Sequence, residues 1–500
     1  MAEIDTDTPK GRAQLLFRIL EKDRNERLLR FDNYIQGVHS EPYMPDNADA
    51  EYHLLAERCI TNYVPLLVRA PVQGCYVDGF RSGKDKPAEA LIDDPSWDHW
   101  QRSNLDSKQT PIYYAAAAYG HAFALTYKDE RSGQTKTKGL SPLRTAAIYD
   151  DPASDVDPVA ALHVTRWPSK KRDGKAQFWD SSFEYAVTFR ESNIENIALT
   201  EIGETGAEDC PVTRFAIEVD LDGRTTGIVE QIIPLQDRLN QTVFDLLIAQ
   251  TYGSFKVRTV TGMAPPLEQE AIYGEDGELL RFQPKVGDDG NPIPRKFQGN
   301  GKTWHFAEDP EVKFGQLDET PLDGYIAALK DVSERLSATT QTPPTYLLGQ
   351  IANLSAEALN AAETTFNRKV QSFQHSFGEA WERVFRIAAQ IEGDTGRAED
   401  VHGEVIWRDM ESRSLSQTAD ALGKLGQSLG VPLQGLWEEV PGVTQQKLAH
   451  WIELSKEQDS QAKLADAMLK ASQTSGRMPR QQSQAGATPL PSNEKAPAKG

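Results

Sequence analysis

Cysteine is scarce: Cys59, Cys75 and Cys210 are the only three in 500 residues. Odd in number, far apart and outside ligand-spaced pairs, they argue against a disulfide framework or a thiolate metal site and read as reduced thiols. No run approaches 18 apolar residues, and the start MAEIDTDTPKGR lacks the apolar core of a signal peptide. Neither membrane spanning nor secretion is expected. Basic charge is in deficit, since 54 Lys and Arg against 74 Asp and Glu leave a formal charge of −20 and a pI near 5.0. That balance argues against a protein that grips nucleic acid through a broad basic face, so any contact with DNA is expected to be loose.

Catalytic constellations are missing too. Gly79, Gly83 and Lys84 suggest a phosphate-cradling loop, but the spacing is one residue short and Asp85 stands where Ser or Thr is required. Gly139 to Leu143 (GLSPL) follows a nucleophile elbow up to its last position, where Leu143 replaces Gly, and Pro142 lacks the amide an oxyanion hole needs. His121 is alone in a strand, without a second His or Cys at ligand spacing. Asp150, Asp151, Asp155 and Asp157 lie in a Pro-bearing stretch without the Gly and Glu of a calcium loop and read as a solvated acidic loop. No catalytic residue, no metal ligand and no cofactor is assigned, and the chain is not read as an enzyme. Asp32 with Tyr34 reads as a hydrogen-bonded structural corner, and Trp97, Trp100 and Leu105 as the inner face of a helix.

Periodicity is what the chain does have. Leu322, Tyr325, Ile326, Leu329, Val332 and Leu336 recur at 3.6-residue spacing with charges opposite, which predicts an amphipathic helix. From Thr339 to Leu354 the sequence TTQTPPTYLLGQIANL carries no charge, and Pro343, Pro344 and Gly349 make it a loop. Ser355 then suits an N-cap, and Leu359, Ala362, Phe366, Val370, Phe373, Phe377, Trp381, Val384, Ala388 and Ile391 continue in steps of three and four. A helix of that span is roughly 55 Å long at 1.5 Å per residue, with Gly378 the place where it would bend.

Elsewhere, residues 12 to 31 and Leu54 to Leu67 read as helices, with Leu15, Leu16, Ile19, Leu20, Leu28 and Leu29 inward in the first. His121 to Tyr127 reads as a strand paired with Arg144 to Tyr149. His163 to Trp167, Phe178 to Trp179, Tyr185 to Arg190 and Ile197 to Ile202 form a meander ending near Arg214 to Ile217. Pro234 suits the first position of a helix that buries Leu235, Leu239, Val243, Leu246 and Leu247. Between Tyr252 and Gly315 the composition turns to Gly, Pro and short apolar runs, with Phe255 to Thr261, Leu279 to Phe282 and Trp304 to Phe306 as strand candidates and Gly274 to Gly290 as a loop. Beyond the long helix come a strand at Val405 to Trp407 and helices at Ser414 to Leu429, Leu433 to Glu439 and Thr444 to Leu469. From Ala471 the Ser, Gln, Pro and Gly content predicts disorder.

The run from Phe314 to Glu363, continuing at Phe377 to Gln390, resembles the portal proteins of tailed bacteriophages, of the siphophage and actinophage type. Gly227 to Leu247 resembles the helix before their clip, and Arg30 to His39 (RFDNYIQGVH) their amino-terminal motif. The resemblance covers roughly residues 15 to 455. It implies an α+β fold: an α/β wing in 1–225, stem helices at 226–250 and 318–339, a small β-rich clip at 251–317, and a tunnel loop at 340–354. A long kinked helix returning to the wing (355–410), a helical crown (411–470) and a disordered tail (471–500) complete it. Stem packing falls to Leu235, Leu239, Val243, Leu246, Leu322, Ile326, Leu329 and Leu336, and the long helix is packed by Phe366, Phe373, Phe377 and Trp381. The DNA channel is lined by Gln341, Pro343, Pro344, Tyr346, Gly349, Gln350 and Asn353.

Implied partners are further copies in a closed ring of about twelve, double-stranded DNA passing without sequence specificity, the terminase large subunit, a head-completion or adaptor protein, and the major capsid and scaffold proteins. Membrane is not among them. The implied location is the virion portal vertex, after assembly in the host cytoplasm. A different head-tail connector or tail component, or a DNA-acting enzyme, are the alternatives; the helix, TQTPP loop and long helix order discriminates against the first, and the missing chemistry against the second.

Overall fold

The computed structural model describes residues 5–46, 48–83, 94–155, 157–190, 197–253, 258–261, 267–274, 276–287, 290–293, 313–316, 321–349, 356–408, 415–437, 440, 442–443, 447–448 and 450–458. In chain order the elements are α1 (Pro9–Asp23), a π-helical turn (Arg24–Leu28), α2 (Leu29–Gln36), α3 (Ala50–Arg58), α4 (Val64–Gln73), β1 (Val77–Arg81), α5 (Pro95–Arg102) and α6 (Leu105–Tyr119). Strands β2 (His121–Lys128), β3 (Thr135–Leu140), β4 (Thr145–Ile148), β5 (Ala160–Arg166), β6 (Gly174–Trp179), β7 (Phe183–Phe189), β8 (Ala198–Glu204) and β9 (Val212–Ala216) follow. Then come α7 (Ile228–Gly253), β10 (Arg258–Thr261), β11 (Gln269–Tyr273), β12 (Leu279–Pro284), β13 (Lys313–Gln316), α8 (Asp323–Thr340), α9 (Pro344–Leu348), α10 (Ala356–Glu392), α11 (Thr395–Ala398), β14 (Glu404–Trp407), α12 (Leu415–Leu429) and α13 (Leu433–Leu436). The chain falls into two compact units, one of Met1–Cys75, Lys108–Thr126 and Lys138–Ala380, the other of Tyr76–Ser107, Tyr127–Thr137 and Trp381–Gly500.

The first unit is built on the antiparallel meander β4-β5-β6-β7-β8. Alternate residues of its strands face inward, so Leu162, Val164, Phe178, Val187 and Phe189 close on Leu16, Phe17 and Leu20 of α1. Helix α1 starts cleanly because the Thr8 side chain accepts from the Gly11 amide and Pro9 occupies the first turn. Ile19 is exposed because it falls off the α1 face made by Ala13, Leu16, Phe17 and Leu20, while Leu28, Phe31 and Tyr34 are buried at and beyond the π-helical turn. The single helix expected at Leu54 to Leu67 is instead α3 and α4, separated by a break at Cys59 to Tyr63 whose backbone is held by α7.

Two sheet expectations are corrected. Strand β2 pairs with β3 and β9, not with the segment at Arg144 to Tyr149, whose strand β4 pairs with β5 instead. The meander therefore ends at β8, and β9 joins the second sheet. The two corrections differ in cause: β3, the nearer segment in sequence, takes the place expected for β4, whereas β9 reaches β2 across the whole meander, a pairing no local pattern signals.

Helix α7 begins at Ile228, so Pro234 is inside it and not at its start. The carbonyl of Glu230, four residues earlier, loses its amide partner, but both residues are exposed and water can take its place. The buried face of α7 is Ile232, Ile233, Leu239 and Phe244 together with Gln236 and Asn240. Those two amides are satisfied: Gln236 Nε2 donates to the Thr61 carbonyl at 2.7 Å, Tyr63 N donates to Gln236 Oε1 at 3.2 Å, and Asn240 Nδ2 meets His39 Nδ1 at 2.8 Å. Tyr34 Oη donates to Asp237 Oδ1 at 2.5 Å, and Tyr119 Oη to Asp32 Oδ1 at 2.8 Å. Asp32 and Tyr34 thus serve as the expected structural corner.

Strands β10 and β13 pair antiparallel, bringing the chain that has left α7 beside the chain approaching α8. β11 and β12 form a hairpin. The supposed loop Gly274 to Gly290 contains β12, and Trp304 to Phe306 lies outside the described residues.

The second unit centres on Trp100, Trp381, Phe80 and Phe385. The Trp100 and Trp381 rings meet edge-on at 4.8 Å, and Phe80 and Phe385 lie 4.4 Å apart. His99 is buried among them, its Nε2 bonded to Thr137 Oγ1 at 2.8 Å. Strands β1 and β14 pair antiparallel. The expected helix Leu433 to Glu439 is described only as the single turn of α13, and of the one expected at Thr444 to Leu469 the described residues 447–448 and 450–458 are helical. The tail at 471–500 lies outside the described residues.

Candidate functional site

The site is the join between α8 and α10. Helix α10 runs unbroken through Gly378 for 37 residues. Phe366, Val370, Phe373 and Phe377 form a single buried line in its middle, whereas nearly every position from Ala380 to Ala389 is buried. Tyr113 stacks on Phe377 at 4.6 Å, fixing the middle of the helix in the first unit.

Helix α8 ends at Thr340 in a left-handed cap. Gln341 adopts φ 50° and ψ 34°, its amide donates to the Ala338 carbonyl at 3.2 Å, and the Thr342 amide donates to the Ser337 carbonyl at 3.0 Å. This is a Schellman arrangement built without glycine. Side chains reinforce it: Ser337 Oγ donates to the Thr342 carbonyl at 2.5 Å and Thr340 Oγ1 to the Leu336 carbonyl at 2.7 Å. Lys369 reaches from α10 and places Nζ 2.5 Å from the Thr340 carbonyl. Burial pushes the pKa of this ammonium down to about 8.

Beyond the cap the expected loop contains a helical turn, α9, because Pro344 has the φ a first helical position needs. Gly349 closes it at φ 63°. Thr342, Pro343 and Leu347 are buried, Pro344 is half-buried, and Gln341, Tyr346 and Gly349 are exposed. The Tyr346 ring still rests edge-on against Phe366 at 5.9 Å. Of the residues expected to line a channel, Gln341, Tyr346 and Gly349 therefore share the accessible surface, while Pro343 and Pro344 shape the turn. Gln350 and Asn353 lie outside the described residues. Sequence reasoning missed Ser337, Thr340, Thr342, Leu347 and Lys369. A Ser- and Thr-rich helix end with no following glycine is the signal for the first three; Lys369, 29 residues from its partner, has none.

The eight residues expected to pack the two flanking helices separate into classes. Leu239 and Leu336 are buried within the chain, Leu235, Val243, Leu246, Leu322 and Leu329 are half-buried, and Ile326 is 56% exposed. Helices α7 and α8 lie together, with Arg238 on one 3.7 Å from Asp331 on the other. Val243 and Leu247 also pack against Leu55, Ala56 and Cys59 of the α3 region.

Among the described residues no cluster of His, Cys, Asp or Glu is arranged to hold a metal ion. His121 Nδ1 is bonded to Thr225 Oγ1 at 3.0 Å, and the acidic loop is tied by Asp155 Oδ2 accepting from the Asp151 amide and by Arg214 donating to the Pro152 carbonyl. No described helix is long and apolar enough to cross a membrane.

The family model described as phage portal protein, SPP1 Gp6-like, matches residues 19–463. The portal protein of Mycobacterium phage L5 is 26% identical over 395 residues, covering 74% of this chain and 73% of that one. That of Mycobacterium phage D29 is 25% identical over 393 residues, with the same shares. Among solved structures, a chain from the virion of a native gene transfer agent particle aligns with a TM-score of 0.39 and 13% identity, over 83% of this chain and 100% of that one.

Proposed function

The chain belongs to the SPP1 Gp6-like phage portal protein family, and we propose from that premise that it forms a ring at the unique capsid vertex, a channel through which double-stranded DNA is packaged and ejected. The observation that carries the reading is an order of elements: α7, a small β-rich segment, α8, an uncharged capped turn, then the 37-residue α10. In this reading residues 1–225 are the amino-terminal part of the wing, 226–250 and 318–339 the stem helices, and 251–317 the clip. Residues 340–354 are the tunnel loop, 355–410 the long helix and its return to the wing, 411–470 the crown, and 471–500 a terminal tail.

The chemistry of the turn suits sliding. Each Lys or Arg that neutralises a phosphate adds salt-dependent affinity by counterion release, and a ring of about twelve copies repeats the contact in every subunit. Gln341, Tyr346 and Gly349 offer polar and backbone surface without that attraction. The formal charge of −20 per subunit repels the duplex toward the axis. The clip, held outside the shell, is the docking place for the terminase large subunit and later for an adaptor, and the body contacts major capsid and scaffold proteins. Size-exclusion chromatography with negative-stain imaging tests the assembly: rings with a central hole are expected, and a monomer or a solid particle overturns it.

A further inference from the structure

We propose that Lys369 is the positioning residue of the 341–349 segment, a latch that passes from α10 onto the last carbonyl of α8 and sets where the chain leaves that helix. The functional weight of this segment rests on the channel reading above; the latch itself does not. Three observations place Lys369 in this role. Its Nζ lies 2.5 Å from the Thr340 carbonyl, at the negative end of the α8 dipole. The residues one turn to either side, Phe366 and Phe373, complete the seat, Phe366 taking the edge of Tyr346 and Phe373 lying 5.6 Å from the ammonium. Thr340 and Thr342, between which the chain turns, are buried, so the carbonyl has little access to water.

The ionisable groups of the elements around it, Glu334 and Arg335 on α8 and Glu363 and Arg368 on α10, are exposed, and Arg335 is already paired with Asp331. Burial alone displaces the ammonium, holding its pKa at about 8 against a usual 10.5. The closed latch therefore binds fewer protons than an open one whose lysine is solvated. Raising the pH between those two values favours closure, and at neutral pH the latch holds a partly desolvated charge that gains hydration when it opens.

Hydrogen exchange on intact assemblies, read at the amides of residues 341–349 and normalised for intrinsic exchange, tests this without DNA. In the parent, protection is expected to rise about tenfold between about pH 7 and pH 9 by this linkage. In Lys369→Met the segment loses protection at pH 7 and the pH step disappears, while Lys369→Arg retains protection without the step. A parent segment whose protection is flat or falls over that range overturns the latch, and so does a Lys369→Met segment that exchanges like the parent. The parent profile alone decides the matter if Lys369→Met does not assemble.

Discussion

Replacing Leu239 and Ile326 separately distinguishes packing within a subunit from packing between subunits. Leu239 is 2% exposed and Ile326 56% exposed in the single chain. Truncating the first, Leu239→Ala, leaves a cavity among α7 and its neighbours and is expected to cost about 2–5 kcal/mol, lowering Tm by roughly 3–7 °C. Ile326→Asp changes a surface position of the isolated subunit and should stay within about 0.5 kcal/mol there. If α7 and α8 form the stem, the same aspartate faces the next subunit and must be desolvated at every boundary of the ring, costing several kcal/mol each time. Thermal denaturation and negative-stain imaging read the two effects independently. Leu239→Ala should give rings of lowered Tm, and Ile326→Asp monomers of parental Tm. Rings from Ile326→Asp at the parental yield would refute the assignment of α8 to the subunit boundary.

Gln341→Gly should raise stability by about 0.5–1 kcal/mol, since φ 50° suits glycine, and chemical denaturation should show Gln341→Val moving the opposite way. Burial holds the pKa of His99 at about 3 and those of His121 and His163 at about 4, below the usual 6.5. The unfolded chain then binds more protons over that window, so Tm should fall as pH is lowered from 6.5 toward 4, and a flat profile would contradict this burial. Gln350→Lys should slow DNA translocation in a salt-relieved way with assembly intact, and packaging rates equal to the parent at low salt would remove 340–354 from the channel wall. Truncation after Ser472 should leave ring formation unchanged on imaging.

How much of this was legible depended on how local the determining signal is. The 37 residues of α10 hold one apolar period throughout, so its ends were readable to within a residue or two. Read as a first helical residue, Pro234 starts α7 six residues late, whereas the resemblance at 226–250 comes within two residues of its start at Ile228; the exposed position of the proline lets water serve the Glu230 carbonyl it leaves unpaired. Strand β2 could have been given its neighbour β3, since Gly133 at φ 67° makes the intervening turn. No local feature ties β2 to β9, nor Lys369 to Thr340.

The charge on Lys369 is what sets that contact apart. A neutral donor of similar reach would satisfy the Thr340 carbonyl without the desolvation that pulls the ammonium pKa to about 8. A charged donor binds the carbonyl more strongly and complements the end of α8, yet regains its hydration when the contact breaks. The two terms oppose one another, so the closed state is less favoured at neutral pH than a neutral donor would make it. On the channel reading proposed above, a segment that yields to a passing duplex and then returns to one position would use that balance. While the latch is closed the ammonium faces the end of α8, and Gln341, Tyr346 and Gly349 are the exposed residues of the described turn, so on that reading Lys369 would add no positive charge to the channel wall.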